Sequence, residues 1–401
     1  MRLIRLFRMA AVVLVFALAL SGCWNRRELN ELSVVLAMGV DKVDDEYVVT
    51  LQSVDPTQMS RNRAANRSPV VTFTQRSETI FEALRKVTTK ASRKMYVAHL
   101  RLLVFNEKAA REGINDIVDF FARDHEFRPD FYIAIAKDAN AQELLELTTP
   151  TEILPAMELY KSLKVSQEAW APTAAVNIID FLQKITKTGV EPVLTGVTVI
   201  GDIKKGKTLG NVTRPKSFSE FKYVGIGVLK DDRLIGWLNE SESKAYNYVT
   251  NNIKSTVGIV GCPDSDKKFN VEVILSRVNV LPSIRDGEPY AQVKMKTEAN
   301  LAEVGCDVDL TKEEEFLKLQ SAASEQLYDL LFDSITRVQR HYGADIFGFG
   351  EAFHRKHPRQ WHQWKRDWDR YFKEMQVDIS IDYKLRKIGK MINPLDKAEK
   401  E

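Results

Sequence analysis

Apolar and polar positions in the first part of the chain predict interleaved strands and helices. Apolar residues at 33–40 and 47–54 flank a polar turn and predict a hairpin. The apolar spacing of 77–89, with Ser77 as the expected cap, predicts a helix. Further strands are predicted at 100–105 and 131–136, and further helices at 114–122, 141–147 and 153–164. This alternation is typical of a mixed α/β domain.

From residue 191 the pattern changes to apolar runs separated by glycine and acidic turns. The predicted strands here are 193–200, 224–229, 234–238, 256–261, 269–281 and 289–301, with a helix at 240–250 after the third of them. A long helix is expected from Thr311, which forms a capping box with Glu314, to Gly343. Another helix near Pro358 and a strand at 377–383 follow. The second half therefore predicts meander sheets and one dominant helix.

Length and composition predict a multidomain globular protein. Its hydrophobic fraction of 44% and charged fraction of 28% are ordinary, and 401 residues exceed one typical core. We expect an α+β (mixed α/β) fold of three domains, each with a small mixed or antiparallel sheet packed by helices. The domains are 23–190, 191–252 and 253–390, and the middle one can share a sheet with 32–55.

The N-terminus is typical of a signal peptide, predicted at 1–22. Arg2, Arg5 and Arg8 precede the apolar run 9–20, which is shorter than the roughly 20 residues needed to span a bilayer. The sequence Leu20-Ser21-Gly22-Cys23 resembles the lipobox of bacterial lipoproteins. That resemblance implies cleavage before Cys23 and a diacylglyceryl group on its thiol, and two acyl chains anchor a protein stably. The alternative is an ordinary secretory signal with an incidental cysteine.

The net charge gives no indication of a nucleic-acid partner. The formal charge of +3 includes the three arginines of the predicted signal peptide, so the rest of the chain is close to neutral. A nucleic-acid-binding protein would need a basic stripe in its folded part. A local basic group is formed by Arg61, Arg63, Arg67 and Arg76. We interpret it as a solvated loop rather than a docking surface for anionic lipid or a partner.

Cys262 and Cys306 remain after Cys23 is assigned to the anchor, and an exported domain can retain a disulfide. In a simple meander they would lie on opposite sides of the 269–281 strand. Two inter-strand steps of about 4.8 Å would then separate them, which exceeds the Cα reach of about 7 Å unless the chain bends. The sequence therefore leaves both a bridge and two free thiols open.

Catalytic and metal-binding motifs are missing from the sequence. It contains no G-x-S-x-G, no G-x-x-x-x-G-K-[ST], no H-E-x-x-H and no C-x-x-C. His354, His357 and His362 are the best metal candidates, but Pro358 interrupts any helix that all three could share. We therefore expect no catalytic residue, no metal and no cofactor other than the covalent lipid.

Two aromatic features have structural interpretations. Trp361, Trp364, Trp368 and Tyr371 recur at helical spacing, which suits either an interfacial membrane helix or a core stripe. We favour the core, because Phe372 and Met375 widen the apolar face and a strand follows directly. His99, at the entrance to a strand, is interpreted as a hydrogen-bonded structural residue.

Several segments together resemble one family over nearly the whole chain after the signal peptide. They are Gly22-Cys23-Trp24-Asn25-Arg26-Arg27-Glu28-Leu29-Asn30-Glu31-Leu32, Ala37-Met38-Gly39-Val40-Asp41, 96–106, 120–128, Gly236-Trp237-Leu238-Asn239-Glu240 and Asp345-Ile346-Phe347-Gly348-Phe349-Gly350. In order and spacing they are similar to the Ger(x)C family, the lipoprotein C-subunits of spore nutrient-germinant receptors. One departure is Asn25, where the family more often has aspartate.

This resemblance implies a non-catalytic lipoprotein on the outer face of the inner membrane of an endospore. Its partners would be the lipid bilayer and two integral-membrane subunits, an A-subunit and a transporter-like B-subunit. The segment 24–32 would lie at the membrane surface, where Trp24, Arg26, Arg27 and Glu28 would contact headgroups or partner loops. A simple spacer is the alternative for this segment.

Two other classes of protein remain as alternatives. A solute-binding lipoprotein would capture a nutrient itself, but such proteins generally have two similar βαβ lobes around a cleft. An exported cell-wall enzyme would need a paired-carboxylate or metal site. The dissimilar halves of this chain and its lack of catalytic motifs favour the receptor subunit.

Overall fold

The computed structural model describes residues 2–19, 31–55 and 68–386. Helix α1 (Arg2–Ala19) occupies most of the predicted signal peptide. Within the described ranges, no helix combines the length and the apolarity that crossing a bilayer requires. The mixed α and β fold class, with helices packed on sheets, is confirmed.

The first sheet has nine strands in the described part of the chain. They are β1 (Leu32–Val43), β2 (Glu46–Val54), β3 (Val70–Ser77), β4 (Lys94–Tyr96), β5 (Leu102–Asn106), β6 (Tyr132–Ala136), β7 (Val193–Gly201), β8 (Ser219–Lys230) and β9 (Arg233–Leu238). Their order is β3-β2-β1-β5-β6-β7-β8-β9, and β4 pairs with the start of β1. The central strands β1, β5, β6 and β7 are parallel, while antiparallel pairs form both flanks.

The segments 23–190 and 191–252 contribute strands to this one sheet rather than to separate small sheets. The connection is the parallel β6–β7 pair, in which Ala134 lies opposite Thr195 and Ala136 opposite Val197. Strands β7 to β9 therefore extend the sheet on the side opposite to the β1–β2 hairpin. That hairpin was predicted from two apolar runs on either side of a polar turn, and the antiparallel register of β1 and β2 confirms it.

Helices cover both faces of the large sheet. Those of the first and middle segments are α2 (Ile80–Val87), α3 (Glu107–Glu112), α4 (Asn115–Arg123), α5 (Ala141–Leu145), α6 (Pro155–Ala169), α7 (Ile178–Ile185), α8 (Ile203–Gly206) and α9 (Glu240–Val249). One face packs on α5 and α6, with Leu144 and Leu159 fully buried. The other face joins a larger core that contains Ile117 of α4, Phe181 of α7 and Tyr246 of α9. Both faces of the sheet are therefore covered.

Local capping differs from the sequence prediction at α2. Its cap is Thr79, whose hydroxyl accepts a hydrogen bond from the Glu82 backbone N–H at 3.2 Å. Ser77 instead donates from its hydroxyl to the Glu82 carboxylate at 2.5 Å. The helix therefore begins three residues later than predicted, because β3 continues to Ser77.

The second sheet has four described strands, β10 (Thr256–Gly261), β11 (Lys268–Arg285), β12 (Glu288–Val304) and β13 (Gln376–Arg386). The first three form the predicted antiparallel meander, and β13 adds a parallel edge beside β12. Helix α10 (Glu313–Arg337) packs on this sheet through Leu319, Ala323 and Leu327. The same large core that underlies the first sheet continues into the second.

The ends of α10 match the prediction only in part. No side chain caps its start at Lys312, and the Thr311 hydroxyl hydrogen-bonds Asp309 at 2.6 Å, so the predicted capping box is wrong. At the other end, a π-helical turn (Val338–Tyr342) leads to Gly343 in a left-handed conformation with φ 59°. The predicted termination at Gly343 is confirmed, since glycine adopts positive φ without steric cost.

The tryptophan stripe lies in the core, as predicted, on two helices rather than one. Helix α11 (Phe349–Lys356) is followed by α12 (Pro358–Trp364) and α13 (Trp368–Glu374), and the last two carry the stripe. Trp361, Trp364 and Trp368 are buried, and the Trp361 and Trp368 rings lie 5.1 Å apart. Tyr371 is half-buried against Trp364 at 5.5 Å. The stripe therefore packs within the protein and does not form an interfacial membrane helix.

Candidate functional site

The side chains predicted to anchor the chain lie outside the described ranges. They are Cys23, Trp24, Arg26, Arg27 and Glu28. The nearest described strand, β1, begins at Leu32 beside Lys94 of β4. A fully extended chain of the nine residues from Cys23 to Leu32 spans about 30 Å. We call the end of the sheet formed by Leu32, Lys94 and the loop 124–130 the anchor-side end, because at most about 30 Å of chain separates Leu32 from the predicted anchor at Cys23.

An aromatic cluster holds the loop of the anchor-side end. Phe127 packs with its ring centroid 4.8 Å from that of Phe121 and 6.5 Å from that of Phe131. The Asp124 carboxylate accepts the backbone N–H of Glu126 at 2.8 Å. Glu126 in turn forms a 2.7 Å ion pair with Lys94, next to the start of β1. The segment 120–128 thus builds a rigid surface near the predicted anchor and leaves His125 and Arg128 exposed.

At the opposite end of β1, two buried polar residues fix the starts of helices. The Asp41 carboxylate accepts the backbone N–H groups of Ala141 at 2.6 Å and Gln142 at 2.9 Å, at the N-terminus of α5. Asn106 accepts the N–H of Ala109 at 3.0 Å and also hydrogen-bonds the backbone of Lys42. Burial raises the pKa of Asp41, while the two backbone hydrogen bonds act to lower it. Negative and polar acceptors suit the positive end of a helix.

Asp345 organises the start of α11 in the same way. Its fully buried carboxylate accepts the backbone N–H groups of Gly348, Phe349 and Gly350 at 2.7 to 3.1 Å. It also accepts the indole N–H of Trp368 at 2.9 Å. Burial raises the pKa of Asp345 to about 6, and these four hydrogen bonds oppose that rise. The carboxylate is thus fully engaged in holding the local structure.

Gly350 lies at the junction between the two sheets. The Gly350 backbone contacts Gly189, and a Cβ added at Gly350 would lie 2.6 Å from the Gly189 Cα. The adjacent Glu351 backbone N–H donates to the Gly189 carbonyl at 3.0 Å, and the Glu191 N–H donates to the Asp345 carbonyl at 2.8 Å. Backbone hydrogen bonds therefore hold the loop after α7 against the start of α11 and the loop before it.

The segment 236–240 has a similar joining role. The Trp237 indole N–H donates to the Glu107 carboxylate at 3.2 Å, and the Trp237 carbonyl accepts the Tyr342 hydroxyl at 2.9 Å. Asn239 and Glu242 form a reciprocal capping box at the start of α9. This segment therefore links α3, β9, α9 and the end of the long helix.

Cys262 and Cys306 are joined in a disulfide with a Cα–Cα distance of 5.6 Å. Each follows the end of a strand, β10 or β12, and both strands flank β11. Backbone N–H groups of Cys262 and Gly305 donate to the carbonyls of Lys267 and Lys268. The chain thereby bends across the beginning of β11 from both sides, which brings the two cysteines within bonding distance.

The histidine candidates have individual structural contacts. A ring nitrogen of His357 lies 3.2 Å from the Pro282 carbonyl, and the His354 ring stacks on Trp361 at 5.9 Å. His99 packs edge-on against Tyr96 at 5.4 Å. In the described ranges, no three His, Cys, Asp or Glu side chains converge as a metal site would require.

Only one member of the basic group 61–76 is described. Arg76 pairs with Asp44 at 3.1 Å and with Glu46 across the sheet, so its charge is balanced within the fold. Arg61, Arg63 and Arg67 lie outside the described residues. Their interpretation as a solvated loop stays a prediction.

Sequence reasoning quoted Asp41, Asn106 and Asp345 only as parts of motifs and missed what they do. Each caps a helix. For Asp41 and Asn106 the sequence signal is a polar residue directly after an apolar run, and Asp345 follows no such run. That signal is weak because Asp41 caps a helix 100 residues away. The motif residues described above thus stabilise the fold.

Two family models match the chain and between them cover most of it. Residues 25–199 match the model described as "Spore germination protein N-terminal domain". Residues 224–389 match the model described as "Spore germination B3/ GerAC like, C-terminal".

Individual relatives align with this chain over almost their full lengths. "Spore germination protein KC" of Bacillus subtilis (strain 168) is 29% identical, with 98% of this chain and 98% of the relative aligned. "Spore germination protein B3" of the same organism is 24% identical, over 94% of this chain and 97% of the relative. The solved structure titled "Crystal Structure of the GerBC protein" matches with a TM-score of 0.54 and 20% identity, covering 87% of this chain and 96% of that chain. The match to this solved structure supports the fold.

Proposed function

Because the chain belongs to the Ger(x)C family of spore germination proteins, we propose that it is the lipid-anchored subunit of a spore germinant receptor. In this proposal it assembles with integral-membrane A and B subunits on the extracytoplasmic face of the spore inner membrane. A diacylglyceryl group on Cys23 holds it there. Its role is to support nutrient-triggered germination without catalysing a reaction.

The observation that carries this proposal is the extent of the match. Both family models align in their expected order, and the relatives named as spore germination proteins align from end to end. A shared domain within an unrelated protein would leave part of one chain unmatched. The buried roles of Asp41 and Asp345 add support, because these carboxylates hold helix starts rather than face a substrate cleft.

The two sheets argue against the solute-binding alternative. A two-lobed binding protein would fold into two similar units around a cleft. In the described residues the first sheet has nine strands and a parallel centre, while the second is a four-stranded meander with one parallel edge. A single continuous core also joins them. This asymmetry favours a scaffold or assembly role.

The contact that we propose for 24–32 places Trp24, Arg26, Arg27 and Glu28 at lipid headgroups or partner loops. The anchor-side end of the sheet supports this, because it lies within about 30 Å of Cys23. Its exposed Arg128 and His125 extend the same surface. Partner loops would then meet the beginning of β1 and the loop 124–130.

Deletion of the gene, followed by germination assays against a panel of nutrients, tests the proposal. We expect at least one nutrient response to be lost and to return with the wild-type gene. Cys23→Ala should fail to restore it and should release the protein from the membrane fraction. Co-purification should recover the A and B subunits with the wild type. Unchanged germination on every nutrient, with no membrane subunit recovered, would refute the receptor role.

Charge reversal at Arg26 and Arg27 distinguishes membrane anchoring by the lipid from contact with the partner subunits. Arg26→Glu with Arg27→Glu should leave the protein in the membrane fraction, since the lipid remains, but should weaken recovery of the membrane subunits. Lys164→Glu, an exposed change on α6, is the matched control. Normal assembly and germination of the double variant would show that 24–32 is only a spacer.

A further inference from the structure

A cavity of about 560 Å³ opens where the two sheets meet, between α7, α9, β11 and α11. Its walls are rich in polar groups, including the side chains of Gln167, Gln183 and Asn279. A cavity of this size holds a small organic molecule, since ligand sites commonly measure about 300 to 1,000 Å³. The motif residues Asp41, Asn106 and Asp345 do not line it.

Lys184 of α7 is the distinctive residue of this cavity. Its ammonium donates to the hydroxyl of Tyr246 at 3.1 Å, and Tyr246 is only 1% exposed. Among the described residues, no carboxylate oxygen lies within 4 Å of the Lys184 ammonium nitrogen. A lysine ammonium has three donors, and within the described part of the chain only one of them meets a protein acceptor. Buried charges in proteins are normally paired, so a largely buried lysine without an ion-pair partner is unusual.

Lys184 carries its charge at neutral pH. Its pKa is raised above the ordinary lysine value, chiefly through the Tyr246 side chain and against the lowering effect of burial. Asp180 and Glu351 contribute smaller effects in the same direction from beyond ion-pair distance. The group that faces the cavity is therefore a cation.

Neither of the neighbouring acids Asp180 and Glu351 forms an ion pair with Lys184. Asp180 lies one turn before Lys184, at a spacing that usually supports an ion pair, yet the lysine turns to Tyr246 instead. Glu351 of α11 pairs with Lys187 at 3.2 Å. Arg355 adds a further positive charge at the exposed rim. The charged side chains that line the cavity are thus three cations and two acids, and Lys184 is the lysine of this set that has no ion-pair partner among the described residues.

We propose that this cavity binds a small polar carboxylate, whose oxygens accept the two free donors of Lys184. Amide side chains of the walls hydrogen-bond the rest of the ligand. Because α7 and α9 belong to the first part of the chain and β11 and α11 to the second, the ligand clamps the junction of the two sheets. This binding site does not depend on the receptor role, and its test uses no germination assay.

Calorimetric titration of the full chain, purified in detergent, with succinate, citrate and L-glutamine tests the site. We expect saturable binding of at least one of these carboxylates and no binding of succinamide, which has the same shape without charge. Lys184→Gln should weaken the binding at least tenfold, whereas Lys184→Arg should keep part of it. Lys164→Gln, which removes an exposed lysine outside the cavity, should bind like the wild type.

The outcome can overturn the proposal in three ways. No saturable binding of any of the three carboxylates would do so, as would equal binding of succinamide. Unchanged affinity in Lys184→Gln would place the ligand elsewhere. Circular dichroism of each variant shows that it is folded, and the charge-preserving Lys184→Arg variant decides the matter if Lys184→Gln does not fold.

Discussion

The indole N–H of Trp368 donates to the buried Asp345 carboxylate at 2.9 Å, which links α13 to the start of α11. Asp345→Ala would leave that indole and three backbone N–H groups without an acceptor. Each unsatisfied buried donor costs about 1 to 3 kcal/mol, and the effects are not additive. We expect the free energy of unfolding to fall by about 2 to 4 kcal/mol. Urea unfolding followed by tryptophan fluorescence measures it.

Asp382→Ala is the control for this variant, because Asp382 is an exposed aspartate on β13. It should change the unfolding free energy by less than about 0.5 kcal/mol. Equal stability of the two variants would contradict the role given to Asp345.

The contact between Gly189 and Gly350 predicts that neither position accepts a side chain. A Cβ at Gly350 would lie 2.7 Å from the Trp368 indole nitrogen as well as 2.6 Å from Gly189. Gly350→Ala should lower the unfolding free energy by about 1 to 3 kcal/mol, since it overpacks a closed junction. Gly261→Ala is the matched control, because an added Cβ there meets nothing within 4 Å. A thermal midpoint unchanged by Gly350→Ala would show that the junction is loose.

The disulfide closes a loop of 44 residues that contains all of β11 and β12. Restricting a loop of this length in the unfolded chain contributes about 2 to 4 kcal/mol. Reduction with dithiothreitol should therefore lower the urea midpoint of the wild type. The double variant Cys262→Ser with Cys306→Ser should start at the lower midpoint and show no further response to reductant. Mass mapping under non-reducing conditions that finds both thiols free would contradict the bridge.

Strands and helices could be predicted where the pattern depends on neighbours in sequence. The β1–β2 hairpin follows from two apolar runs on either side of a polar turn. The burial of Trp361, Trp364 and Trp368 follows from their helical spacing together with the apolar residues that widen the same face. Periodicity records which side of an element is buried. It carries no information about the element against which that side packs.

Strand pairing and capping were harder to predict because they depend on partners that are distant or that compete locally. The β6–β7 pair joins residues about 60 positions apart, so nothing in either strand indicates that the other is its partner. At Thr311 the motif was present, but the Asp309 carboxylate takes the hydroxyl that the capping box needs. For Cys262 and Cys306, the bend across β11 depends on backbone hydrogen bonds that spacing alone does not specify.

Glu191 predicts a pH dependence of stability. Burial raises its pKa to about 7, aided by Asp231 and Asp369, while a hydrogen bond from the Asp231 backbone N–H and the charge of Lys230 lower it. In the unfolded chain this carboxyl has its ordinary pKa of 4.5. Between these values the folded state binds more protons than the unfolded state. The contribution of Glu191 to stability is therefore fully present below about pH 4.5, is lost as the pH rises to about 7, and changes little above that.

Glu191→Gln isolates this effect, because its amide oxygen can still accept the Asp231 N–H while the negative charge is removed. Glu191→Gln should raise the free energy of unfolding relative to the wild type, and this gain should be about 1 to 3 kcal/mol larger at pH 8 than at pH 5. The range allows for solvent screening of a half-buried group. Other titrating groups, including Asp345, are common to both proteins and cancel in the difference. Glu220→Gln, at an exposed position of β8, should show no such trend. Urea unfolding at the two pH values measures each difference, and a Glu191→Gln effect that is equal at both would mean that Glu191 is charged in the folded protein throughout this range.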